Sequence, residues 1–411
     1  MLQKNKTWQG NSVKRRNSAF FLFVFLGMLT AFGPFVTDMY LPSLPAMGEY
    51  FSAGASLVQL GLTFSMLGLA AGQLLFGPLS DKYGRRPPLL AAMLLFLLST
   101  VGCICAPSIE VFVALRFVQG IAGAGGIVIS RSIAADKFKG VNLAKALALI
   151  GAINGLAPVA APVIGGTALK IVSWKGIFGI LFVLGVILLC GCINFKESLS
   201  KTKFSKKKIS ETLLMFKPLF GNKKYLFYVL QMSFAQGLLF AYISSSPFII
   251  QSHYGYSSFA FGLLFAINSV AIVAGAAAAV KFKSQENCVA VSCCGMLICS
   301  ILTALALRFS APLLVFEGLL MAMLFMIGLT FTASVALALN NARGQAGTAS
   351  ALLGAMGFLF GSIVSPLVGL GDIMLSSGLV FIACACGSMI CGVGALRRTA
   401  QSKVCGGASA A

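Results

Sequence analysis

Gly72-Gln-Leu-Leu-Phe-Gly77-Pro-Leu-Ser-Asp81-Lys-Tyr-Gly84-Arg85-Arg86-Pro87 ends one long apolar run and begins the next. Its charges are crowded between the two runs, as in a tight hairpin joining two membrane-crossing helices. Gly77 lets a neighbouring helix approach closely, and Gly84 lets the chain turn sharply. Asp81 is expected to meet the positive N-terminal end of a helix from elsewhere in the chain, near Gly347. Arg85 is expected to pair with an acid on a neighbouring helix end, for which Asp136 is placed.

The rest of the chain agrees with that reading. Of 411 residues, 58% are apolar and 10% charged, where a soluble domain carries about 25% charge. Mean hydropathy is +0.94. Such a composition cannot clothe a water-exposed surface, which excludes a soluble enzyme and a disordered or fibrous chain. A spanning helix takes about 20 residues. Apolar runs at about 18–45, 56–79, 88–106, 109–130, 143–168, 174–195, 225–250, 258–280, 288–307, 311–336, 346–370 and 375–396 predict an all-α membrane protein with twelve transmembrane helices. The organisation expected is an N-terminal tail (1–17), a six-helix bundle (18–195), a basic linker (196–224), a second six-helix bundle (225–396) and a C-terminal tail (397–411).

The net charge of +21 would suggest nucleic acid in a soluble protein, but here it follows the positive-inside pattern and no nucleic-acid partner is expected. Only Lys170, Lys175 and Arg308 fall on one side of the predicted topology and Arg116 within a span. The remaining Lys and Arg lie on the other side, with both tails, so both termini are expected to be cytoplasmic. The linker offers cations to anionic lipid headgroups. Most of the twelve cysteines lie inside apolar runs without accompanying histidine, and His253 stands alone. No metal site is expected.

The hairpin resembles motif A of the major facilitator superfamily. Three other stretches narrow the resemblance: Thr37-Asp38-Met-Tyr40-Leu-Pro42-Ser-Leu-Pro45; Leu115-Arg116-Phe-Val-Gln119-Gly120, which looks like motif B; and Ala157-Pro158-Val-Ala-Ala161-Pro162-Val-Ile-Gly165-Gly166, which looks like the antiporter motif C. The last has Ala161 where the motif usually has glycine. With Ser173–Phe178 and Gly347–Gly354, they resemble the Bcr/CflA subfamily of drug:proton antiporters. The resemblance implies the major facilitator fold and a multi-pass protein of the bacterial inner membrane. It also implies a conformational network of Gly77, Asp81, Gly84, Arg85, Arg86 and Asp136, and a span-five element of Pro158, Pro162, Gly165 and Gly166.

Ionisable residues inside hydrocarbon are functional hypotheses by default, and Asp38, Arg116 and Glu317 stand out. Asp38 and Arg116 lie at similar depth and are expected to pair, with Asp38 exchanging protons and Arg116 tuning it. Glu317, at similar depth in span ten, is placed as a cavity carboxylate for cationic substrates. Tyr40, Gln119, Gln231, Gln236, Tyr242 and Asn268 are candidate substrate contacts. No Gly-Lys-Ser/Thr phosphate loop is present, so ATP is not expected to supply the energy. The expected activity is proton-coupled export of lipophilic small molecules by a monomer without cofactor or covalent chemistry. A metabolite or siderophore exporter, or a proton symporter, is the alternative.

Overall fold

The computed structural model describes residues 18–138, 140–199, 217–342 and 346–407. The N-terminal tail 1–17 and linker residues 200–216 lie outside them. Among the described residues the chain is helical throughout, with eleven helices long and apolar enough to cross a membrane. The major helices are α1 (Ala19–Asp38), α2 (Ala55–Tyr83), α3 (Arg86–Ile104), α4 (Ile109–Lys137), α5 (Gly140–Ala168) and α6 (Trp174–Asn194). After the linker come α7 (Lys223–Pro247), α8 (Ser258–Ala279), α9 (Gln285–Arg308), α10 (Leu313–Asn341), α11 (Ala346–Val364) and α12 (Ile373–Gly407). Within α5, the described apolar stretch is Leu156–Ala168.

Several helices differ in extent from the apolar runs. The first run splits: α1 ends at Asp38, a 3-10 turn covers Leu41–Ser43, and a short helix covers Leu44–Phe51. Pro42 and Pro45 lack the amide hydrogens a continuous helix would need, so the chain re-starts a helix at each. At the other end of the molecule α2, α4 and α10 run past the apolar segments to Tyr83, Lys137 and Asn341. α12 likewise continues to Gly407, through most of the stretch assigned to a tail.

The same device packs a helix pair in each half of the chain. Where α2 crosses α4, a Cβ on Gly68 would strike the Phe117 carbonyl and one on Gly120 the Ser65 carbonyl. Where α8 crosses α10, Gly275 lies against the Phe325 carbonyl and Gly328 against that of Ile272. Small residues let backbones touch, which is how helices associate where lipid removes the hydrophobic driving force. Reciprocal glycines in α2/α4 and again in α8/α10 relate the halves as two copies of one plan.

The halves meet at the end that carries Leu41–Phe51. Ser56 donates to the Pro366 carbonyl (3.3 Å), Gln59 to that of Ser244 (3.1 Å) and Gln251 to that of Pro42 (3.1 Å). Lys170 Nζ sits 3.7 Å from the centre of the Phe259 ring. Beside it α5 and α8 are in backbone contact: a Cβ on Gly262 would lie 2.7 Å from the Pro162 carbonyl oxygen. This end is sealed.

Candidate functional site: a cavity between the halves

From the seal a cavity of about 750 Å³ runs between the halves toward the opposite end. α1, α2, α4 and α5 line one side and α7 and α11 the other. It reaches from Thr37 and Asp38 to Asp81 and Ala135, near the ends of α2 and α4. The Asp81 side chain there is 54% exposed. Leu69, Leu74, Ile127, Leu239, Phe240, Ile243 and Phe358 make the wall largely apolar, with Gln73, Ser132, Gln236 and Ser350 set into it. Asp38 is the carboxylate nearest the seal, and Arg131 is the cation on the wall. Such a pocket suits a lipophilic guest oriented by a few polar groups.

Arg116 is fully buried, and the structure corrects the expected pairing. No ion pair joins it to Asp38. Instead its guanidinium donates to the Val36 carbonyl (3.0 Å), to the Gly61 carbonyl (3.4 Å) and to Gln119 Oε1. It also lies 4.4 Å from the centre of the Tyr40 ring. Val36 belongs to the last turn of α1, where carbonyls lack helical partners and the helix dipole is negative. Arg116 therefore caps α1, and its charge is met by main-chain oxygens and an aromatic face. Gln119 is held in turn by donating to Thr100 Oγ1 (2.7 Å). Asp38, in the same last turn of α1, forms no ion pair among the described residues, although Arg131 stands elsewhere on the cavity wall.

The other substrate candidates divide. Gln236 lines the cavity. Tyr40 and Gln119 are buried in the Arg116 packing. Gln231 is buried inside the second half, accepting from Ser334 Oγ and donating to Cys293 Sγ (3.5 Å). Tyr242, Asn268 and Glu317 form a separate buried cluster, so Glu317 does not face this cavity. Of the span-five residues, Pro158 lines the cavity, while Gly165 packs on the Met39 carbonyl and Gly166 on that of Ser258. Pro162 presents its carbonyl to Gly262 at the seal. These residues join and shape helices.

At the hairpin, Gly84 turns with φ +89°, a conformation open to glycine. Arg85 is thereby brought back against the end of α2. It bonds to Asp81 at 2.5 Å and Ser80 at 2.9 Å, and to Asp136 of α4 at 2.9 Å. The described ion partner of Asp81 is Arg85; the expected contact with the start of span eleven falls on residues 343–347, whose side chains lie outside the described set. Gly77 lines the cavity mouth, and the close helix approach expected there is not made: a Cβ would meet only the Val128 side chain, at 4.0 Å. Arg86 donates to the Cys192 and Ile193 carbonyls and so caps α6.

Sequence reasoning passed over Glu197. Its carboxylate accepts from the backbone N–H groups of Arg85 (3.0 Å) and Arg86 (2.9 Å), a negative charge on the N-terminus of α3. Ser198 next to it donates to Asp136 at 2.9 Å. One of two acids, with Glu211, among the lysines of the linker, it was the available signal. Gln73 and Arg131 were also legible, as polar residues interrupting apolar helix.

The sequence profile of the Major Facilitator Superfamily matches residues 20–366. The chain belongs to this superfamily. It is 37% identical over 372 residues to an uncharacterized MFS-type transporter of Bacillus subtilis (strain 168), YdgK, covering 89% of this chain and 92% of that one. To a bicyclomycin resistance protein homolog of Haemophilus influenzae it is 29% identical over 381 residues, covering 91% and 95% of the two chains. In fold it matches a crystal structure of a D-xylose-proton symporter with a TM-score of 0.72, at 16% identity over 92% of this chain and 97% of the other. The superfamily consists of membrane transporters of small molecules, and the cavity of about 750 Å³ has room for one.

Proposed function

We propose that this superfamily member exports lipophilic small molecules, drugs among them, in exchange for protons by alternating access. It does so as a monomer of twelve spans in two six-helix bundles in the bacterial inner membrane. The carrying observation is the cavity, largely apolar, sealed at one end and holding near that seal a carboxylate, Asp38, that forms no ion pair among the described residues. A carboxylate in that position can take a proton when the cavity faces one phase and lose it to the other. An apolar wall takes guests of varied shape. The likeness to a bicyclomycin resistance protein homolog supports drugs as cargo, and the Ala-Pro repeats of α5 support antiport.

The distribution of Lys and Arg supports a cytoplasmic position for both termini, so the open end of the cavity faces the cytoplasm and the seal faces outward. Substrate enters from the cytoplasm or inner leaflet. The proton gradient supplies the energy, and no cofactor enters.

The test uses the purified chain in proteoliposomes with chloramphenicol and ethidium as probes. Addition of either should drive proton movement in the wild type and none in Asp38→Asn. Uphill transport by Asp38→Asn equal to wild type would refute the role of Asp38. Wild-type vesicles moving neither probe nor protons would refute the antiport reading.

A further inference from the structure

Behind the cavity wall lies a second buried acid that the transport cavity does not use. Glu317, near the start of α10, is 7% exposed. Its Oε2 accepts from Asn268 Nδ2 of α8 at 2.8 Å, and that amide also donates to the Tyr242 hydroxyl of α7 at 3.3 Å. Glu317 Oε1 and Asn268 Oδ1 are buried without any partner. The Tyr242 ring is stacked on Phe265 of α8, centroids 5.5 Å apart, which holds the hydroxyl in place.

The chemistry of this cluster is short of one hydrogen. Asn268 gives its amide hydrogens to the carboxylate and the tyrosine, and two oxygens remain with nothing to accept. The ionisable neighbours on which the acid acts are Tyr242 and, just beyond α7, Tyr254, whose hydroxyl donates to the Ala311 carbonyl at 2.7 Å. From α8 comes the neutral Asn268, and Asp38 of α1 acts on Tyr242. Among the described residues no Lys, Arg or His forms an ion pair with Glu317. A bare carboxylate so enclosed is costly. A proton on Oε1 removes the charge and supplies the missing donor.

We propose that Glu317 carries a proton in this conformation and gives it to water when the sealed end opens, making Tyr242–Asn268–Glu317 a proton site separate from Asp38. The link to the cycle is α7: two residues after Tyr242, the Ser244 carbonyl accepts from Gln59 across the seal. Breaking that bond frees α7 to move at the level of the cluster. The proposal rests on the antiport reading above.

Infrared difference spectroscopy of the purified protein tests the first half. Asp38→Asn protein at neutral pH should show a protonated carboxyl C=O band that is lost in Asp38→Asn/Glu317→Gln. Asn268→Ala should keep the band and shift its frequency, a readout that merely structural packing would not give. Proton counting in proteoliposomes with chloramphenicol tests the second half: Glu317→Gln should move one proton fewer per molecule exported. Absence of the band in Asp38→Asn protein overturns the proposal. A normal wild-type count left unchanged by Glu317→Gln overturns it alone, whereas wild-type protein that moves no protons overturns the antiport reading and this proposal with it.

Discussion

Asp38→Asn and Arg116→Met should both stop transport, yet only the second should weaken the fold. Breaking a buried ion pair from either side costs about 3–5 kcal/mol. These two charges are not paired. Asn keeps the volume of the buried Asp38 and removes a desolvated charge that no ion pair compensates, so the cost of breaking a buried pair should not appear. Methionine at position 116 keeps much of the stem but removes every donor of the guanidinium. Gly61 lies inside α2 and keeps a helical partner for its carbonyl. Val36 in the last turn of α1 and Gln119 Oε1 are left as buried acceptors without donors. Each orphaned acceptor costs about 1–3 kcal/mol, which gives a loss of about 2–6 kcal/mol. The escape of a desolvated charge offsets part of this, and the stack on Tyr40 is forfeited. A net loss of a few kcal/mol, on the order of 2, is expected. Unfolding of purified protein in mixed SDS micelles, beside proton-coupled transport, reads both quantities. Destabilisation by Asp38→Asn equal to that by Arg116→Met would show the two charges paired and refute the capping account.

Arg85→Ala removes the bridge between the α2 end and α4, where Arg85 and Asp136 are 8% and 15% exposed, while the half-exposed Asp81 contributes little. Turnover should fall several-fold with substrate affinity nearly kept, as checked by separate transport and binding assays; equal loss of both would count against a conformational role. Gly166→Val would drive a side chain into the Ser258 carbonyl. The sealed state should lose population, seen as faster hydrogen exchange over 41–59 and 247–258, and unchanged exchange there would disprove close packing at the seal.

How far the sequence was legible depends on what hydropathy measures. It reports the thickness of hydrocarbon, so it located the apolar runs and missed the helix ends that continue into water, as at Asp81 and Asp136. Side-chain pairs between charged groups were readable where two opposite charges sit at helix ends, and Arg85–Asp136 is such a case. Arg116 was not, because its partners are carbonyls, and main-chain acceptors leave no mark in a sequence. Helix rotation was equally silent. Gln236 and Gln231 lie on one helix, five residues apart, and only the former reaches the cavity.

The sealed end has a genetic consequence. Among the described residues, the three hydrogen bonds that join the halves there end on main-chain oxygens, of Pro42, Ser244 and Pro366. No point substitution deletes a carbonyl, so half of each latch is beyond the reach of mutation. The cavity wall, by contrast, is made largely of apolar side chains such as Leu69, Leu239 and Phe358, each exchangeable for another of similar volume. Descendants of this chain can thus acquire new cargo through changes in the wall while the closing machinery is inherited intact.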